Sequence, residues 1–326
     1  MLSRQRRPHR VNHSEFSLRS FAKINLTLRV LGKRPDNYHE VRTLLQTISL
    51  HDDLTFISRT DSEIRLTCSD PGIPVGERNL IVRAARVLQE SAAVTYGAEI
   101  HLLKRIPAQG GLGGASANAA VALLGLMRLW QLEINIADLS SLGKGLGADV
   151  PFFFYGGSAL GTGTGTDISP LPDLPAKHLI VVTPQAAVST ADAYHALQTP
   201  SLTSEDSVSI LASSFVEPSL GDCAQWPLHN DFEAVIFEIK PEIRRAKRAL
   251  IEAGARGALM TGSGSSVFGI FDSETARDQA LSDVDPEVGW RIFPCQSLTR
   301  DEYLKALGSS TYPLLRSFNM RSDTGA

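Results

Sequence analysis

The sequence predicts an α+β protein, and three observations carry that prediction. Strand-like and helix-like segments follow one another without the steady strand–helix–strand alternation of a doubly wound sheet. At 326 residues the chain is long enough for two domains, each with its own core. Between Gly110 and Gly114, four glycines open directly into a strong helix former, which builds an anion site rather than a packed interior.

Composition narrows the function. Hydrophobic residues make up 43% and charged residues 21%, the values of a soluble globular protein. A net charge of −3 argues against nucleic acid or a membrane surface as partner. Cys68, Cys223 and Cys295 are far apart and form no CxxC pair, so neither a disulfide framework nor a zinc site is expected, and a reducing cytoplasm is the natural home. No apolar run reaches the roughly 18 residues of a membrane span.

Taken in order, residues 1–13 carry Arg4, Arg6, Arg7 and Arg10 with no apolar stretch behind them, and read as a disordered basic tail. Alternating apolar positions predict strands over 17–31 and 54–68. Asn79 is placed to cap a helix with Leu80, Ala84, Val87 and Leu88 on its apolar face. A strand over 98–103 leads through Lys104, Arg105 and Ile106 to the glycine loop, and a helix runs from Ala115 to Gln131. A second helix follows over 136–146, then a strand over 151–155 and a hairpin over 156–165. The Pro-rich stretch 170–175 divides an N-terminal domain, 14–172, from a C-terminal one, 173–305, with a tail over 306–326. The second domain holds a strand over 179–183 and an exposed Ser/Asp/Pro-rich insertion over 199–223. A helix over 241–253 follows, with Ile243, Ala246, Leu250 and Ile251 inward and Gly254 at its end. Strands then flank the loop Thr261–Gly262–Ser263–Gly264–Ser265–Ser266.

The glycine loop is the chemical signal. Bare N–H groups and the positive end of a helix dipole meet at one point, which suits a phosphate. Ser116, at the helix start, serves as N-cap, as a donor to phosphate or metal, or as both. No Lys-Ser or Lys-Thr follows the glycines, so this is no Walker A loop. The GxGxxA match at Gly143–Ala148 precedes an apolar run instead of following a strand, so it is no dinucleotide fingerprint. Lys23 is out of place in an apolar strand, and Asn25 shares its face. Asp149, between small residues and an apolar run, is a partly buried carboxylate in need of a partner.

The run Pro107–Ala120, with Phe21–Leu26 before it and Leu259–Phe268 after it, resembles the motifs of the GHMP kinases. Ala22–Leu26, Asn37–Tyr38–His39, Asn79–Ala84 and Leu146–Phe152 resemble most the branch of that family whose acceptor is a cytidine diphosphate-linked polyol, an ATP-dependent step of non-mevalonate isoprenoid biosynthesis. The resemblance spans about residues 16 to 300. It implies a two-lobed fold, with an N-terminal domain like domain 2 of ribosomal protein S5 and a ferredoxin-like C-terminal domain, the substrate between them. It implies ATP as co-substrate with Mg²⁺, and small-molecule partners bound by a monomer or weak homodimer; the metal ligands stay open. Lys23 and Asp149 would be catalytic, Asp149 taking the acceptor proton. Pro107, Ala108, Gln109, Gly110, Gly111, Leu112, Gly113, Gly114, Ala115, Ser116 and Ala117 would hold ATP phosphates, with Asn79 and Lys104 in the adenine pocket. Asn25, Tyr38, His39, Thr190, Tyr194, Gly262, Ser263 and Gly264 would bind the acceptor, Tyr38 and Tyr194 stacking on cytosine. Asn37 stands where the family has glycine, and asparagine also tolerates a positive φ. The alternatives are a homoserine- or mevalonate-type kinase of the same family, or a non-catalytic nucleotide-binding protein.

Overall fold

The structure is a computed structural model that describes residues 15–197 and 226–308. The expected tail 1–13, Cys223, the expected insertion 199–223 and the chain from residue 309 onward lie outside the described residues.

Two long strands organise the molecule. β1 (Glu15–Lys33) and β2 (His39–Ser58) pair antiparallel from Glu15 opposite Ile57 to Lys33 opposite His39. The tight turn between them places Asn37 at φ 67°, as its side chain permits. Only the end of β2 had an alternating pattern. Its first half is buried on both faces and so shows none. The single strand expected over 54–68 is replaced by the end of β2, a turn and β3 (Ile64–Cys68). The break has a local cause: Asp61 Oδ1 accepts from the Glu63 amide at 3.2 Å, an Asx turn that competes with the ladder.

β3 lies parallel to β4 (Ala98–Leu103), β4 antiparallel to β2, and the short β8 (His229–Asn230) closes the far edge beside β1. The hairpin of β5 (Ser158–Thr162) and β6 (Asp167–Pro170) hangs on β2 and completes a seven-stranded sheet. Helices α1 (Leu80–Ser91), α2 (Gly114–Leu129) and α3 (Ile136–Leu146) cover it. Asn79 caps α1, accepting from the Ile81 amide at 2.9 Å. The strand expected over 151–155 is a 3₁₀ helix, Val150–Phe154. Pro151 holds a helical φ there, and because all five side chains are buried, the apolar run carried no period to separate the two structures.

A four-stranded antiparallel sheet follows, in the order β11 (Arg291–Gln296), β7 (His178–Thr183), β10 (Val267–Phe271), β9 (Gly257–Met260). With α6 (Pro241–Glu252) between β7 and β9 and α7 (Glu274–Asp283) between β10 and β11, this is the ferredoxin-like arrangement. The helices α4 (Thr190–Leu197) and α5 (Phe232–Ile239) complete the lobe. α6 buries Ile243, Ala246 and Leu250 as expected, but Ile251 faces out at 45% exposure, one position round from Leu250. α8 (Arg300–Ala306) turns back to the first lobe, where Tyr303, Leu304 and Leu307 join its core. No described helix is long and apolar enough to cross a membrane.

Three apolar clusters fill this frame. One lies between the large sheet and α1–α3, a second between the small sheet and its helices, and a third where the two sheets face each other through Ile24, Leu26, Leu179, Val181 and Phe268.

Candidate active site

The glycine loop ends β4 and starts α2. Gly113 occupies the N-cap position with φ 70°, so Ser116 is not the cap; it lies in the first turn of α2. The loop borders a cleft of about 340 Å³ lined by Pro107 to Ser116 together with Asn79, Lys104, Ile73, Leu102 and Asn118. The expected phosphate-loop and adenine-pocket residues, apart from Ala117, which is buried in α2, therefore share one cleft. Two of its polar members are already engaged. Asn79 caps α1 and donates to the Pro74 carbonyl at 2.7 Å, and Lys104 pairs with Asp52 at 2.8 Å.

The back of the loop rests on the second glycine-serine loop. A Cβ on Gly111 would stand 2.1 Å from the Thr261 carbonyl oxygen, and Gly111 takes φ 72°, so only glycine fits. The Ser266 amide donates to the Gly110 carbonyl at 3.1 Å. Gly262 and Gly264 have φ 60° and 95°, and Ser263 meets Thr190, the first residue of α4, at 3.2 Å between hydroxyl oxygens.

Lys23 comes up from β1 beneath this junction. Register shifts between Phe21 and Lys23 and between Asn25 and Thr27 bracket the pair Lys23 and Asn25, and bulges of this kind re-aim side chains. Lys23 is 3% exposed, and its ammonium donates to Asn25 Oδ1 at 2.7 Å and to the Gly111 carbonyl at 2.9 Å and lies 3.5 Å from Asp149 Oδ2. Asn25 is itself buried; its amide donates to Thr43 Oγ1 at 2.7 Å, and its oxygen also accepts from Thr261 Oγ1 at 3.3 Å. Asp149, at the head of the 3₁₀ helix, keeps 37% of its side chain exposed. One face of this carboxylate thus meets a buried ammonium while the other is open to a substrate.

The expected base-binding residues gather at the tip of the β1–β2 ribbon and on α4. Tyr38 stands in solvent, 64% exposed. His39 stacks on Tyr194 with ring centroids 4.4 Å apart, and Tyr194 packs edge-on against Phe232. Burial, with the Asp149 carboxylate adding to it, pushes the Tyr194 phenol up to about 12, so it stays a neutral donor. Burial and the nearby Lys33 hold the His39 imidazole below its ordinary 6.5.

Sequence reasoning missed Asp52 and Asn118. Asp52 is fully buried beneath the glycine loop and collects four donors from residues 104 to 118. Its only sequence signal was a charged pair, Asp52–Asp53, before an apolar strand, which reads as surface. Among the described residues no three His, Cys, Asp or Glu cluster to form a metal cage.

The chain is similar to known proteins over most of its length. Residues 79–157 match the GHMP kinases N-terminal domain and residues 212–289 the GHMP kinases C-terminal domain. A 4-diphosphocytidyl-2-C-methyl-D-erythritol kinase from Solibacter usitatus is 43% identical over 313 residues, covering 93% of this chain and 97% of that one. One from Pelotomaculum thermopropionicum is 43% identical, covering 79% and 90%. A crystal structure of 4-(cytidine 5'-diphospho)-2C-methyl-D-erythritol kinase superposes with a TM-score of 0.70 at 33% identity, over 86% of this chain and 99% of that one. A homoserine kinase from Cytophaga hutchinsonii, at 20% identity and a TM-score of 0.64 over 91% and 98%, shares the fold.

Proposed function

Because the chain belongs to the GHMP kinases, we propose that it transfers the γ-phosphoryl group of ATP to the 2-hydroxyl of 4-diphosphocytidyl-2-C-methyl-D-erythritol, in non-mevalonate isoprenoid biosynthesis. The observation that carries the chemistry is the buried Lys23 ammonium 3.5 Å from Asp149, set against the glycine loop.

Phosphoryl transfer asks for positioning and charge compensation more than covalent chemistry. The loop N–H groups and the start of α2 receive the ATP phosphates. The acceptor oxygen attacks the γ-phosphorus as the bond from that phosphorus to the β,γ-bridging oxygen breaks. ADP leaves with the electron pair, and the hydroxyl proton passes to Asp149. Lys23, immobilised by Asn25 and Gly111, offsets charge on the transferring group. Tyr38, His39, Thr190 and Tyr194 with the loop Gly262–Gly264 receive the cytidine diphosphate end, and stacking favours a flat base.

The oxygen groups beside the loop suit Mg²⁺, which takes few protein ligands and keeps phosphate oxygens and water. Ser116, in the first turn of α2 beside the glycine loop, would help hold the ion, which neutralises phosphate charge when bound.

The test is to supply ATP and Mg²⁺ with the cytidine compound, homoserine or mevalonate and to follow ADP release and the phosphorylated product by mass spectrometry. Turnover with the cytidine compound alone is expected. Turnover with homoserine or mevalonate in its place would overturn the substrate assignment.

A further inference from the structure

We propose that Asp52 is a positioning residue of the glycine loop, fixing its two ends and thereby setting ATP affinity. Asp52 never reaches the cleft. Its Oδ1 accepts from the backbone amides of Arg105 at 2.6 Å and Ile106 at 2.8 Å, the last residues before the loop begins at Pro107. Its Oδ2 accepts from the Lys104 ammonium at 2.8 Å and from Asn118 Nδ2 at 3.0 Å, the latter on the second turn of α2. One carboxylate therefore holds the chain entering the loop and the helix leaving it. All four acceptor directions are used, as a fully buried carboxylate requires.

The same contacts fix Lys104. Its ammonium also donates to the Ile106 carbonyl, and a Cβ on Gly114 would stand 3.4 Å from Nζ, so the charge lies directly under the last glycine of the loop. Paired with Asp52, it stays on the wall of the cleft. Unpaired, a buried ammonium is driven toward any anion or water in reach, taking residues 104–106 with it. Asn118 adds a second sign of loop-directed construction: its Oδ1 is buried without a partner while its Nδ2 serves Asp52, and the residue lines the cleft. Within the loop only Pro107 and Leu112 bury apolar side chains, so its shape depends also on the bonds at its ends and on the second loop behind it.

This assignment rests on the cleft being the nucleotide site, which wild-type ATP binding tests separately. Asp52→Asn keeps the size of the side chain but removes the charge that pairs with Lys104. Hydrogen bonds to charged groups are worth enough that KM for ATP should rise about 10- to 100-fold, while KM for the acceptor stays within about 3-fold. Hydrogen exchange on the free protein should quicken in residues 104–113 and not in β1. Equal loss for both substrates, or faster exchange throughout, would make Asp52 a general stabilising group and overturn the proposal. Unchanged ATP binding would overturn it as well. If Asp52→Asn does not fold, Asn118→Ala decides, since it retains the ion pair. Faster exchange confined to residues 104–118, measured without nucleotide, is expected, and unchanged exchange there would overturn the assignment.

Discussion

Asp149 meets Lys23 on one side only, and Lys23 has two other anchors in Asn25 and Gly111. Removing the Asp149 charge therefore leaves the lysine in place and the fold intact. Asp149→Asn should lower kcat by about 10²- to 10⁴-fold with both KM values within a few-fold, the signature of an interaction made in the transition state. Steady-state kinetics with a thermal melt checks this, and retention of most of the kcat would sink the role. Tyr38, standing in solvent, gives the complementary test. Tyr38→Ala should leave Tm unchanged and raise KM for the cytidine substrate by an amount worth about 1–3 kcal/mol. Tyr194 is a poorer probe, because truncating it also removes packing against Phe232. His39 yields a pH dependence whose sign is fixed. Its folded value lies below 6.5, so near and below that pH the unfolded chain binds the proton more readily. Its stabilising contribution is whole above 6.5 and fades as pH falls through the folded value. The Tm gap between wild type and His39→Gln should narrow from about pH 8 to pH 5; a constant gap would refute it. Lys23 and Asn25 were legible as sequence because polar residues stand out in an apolar strand. Asp52 was not, because its donors arrive from residues 104 to 118, and only folding brings them to it.

The start of α2 changes how a substitution in the glycine loop should be understood. A valine at Gly113 would at first sight crowd the space of phosphate oxygens. The Cβ would instead stand 2.9 Å from Lys23 Cγ and 3.0 Å from the Phe153 ring, at a φ that β-branched residues avoid. Gly113→Val should displace Lys23, so kcat falls along with ATP affinity and Tm drops by several degrees. A variant with weakened ATP binding and wild-type kcat and Tm would contradict this packing. The elements that the sequence marks best are those with one buried face. α3 and β4 begin and end where their periodicity does. The first half of β2 buries polar and apolar residues alike on both faces, and the 3₁₀ helix at 150–154 is apolar and buried throughout, so neither shows a period to be read.

At the scale of the molecule, the β1–β2 ribbon is continuous through all three apolar clusters. Leu18 and Phe21 belong to the first, Ala22, Ile24 and Leu44 to the third, and Leu28 and Val41 to the second. α8 then carries the chain back, and the Tyr303 hydroxyl donates to the Phe153 carbonyl at 2.5 Å, four residues after Asp149. Two family domains are visible in the sequence, but neither owns a complete set of strands. Such sharing forbids one lobe from melting while the other persists, since loss of either strips the ribbon of a partner face. Scanning calorimetry should accordingly record a single endotherm, with van't Hoff and calorimetric enthalpies in agreement. Two resolved endotherms would mean that the ribbon belongs to one lobe alone. A substitution on either lobe therefore draws on one common reserve of stability, and its cost is felt at Asp149 whichever sheet it strikes.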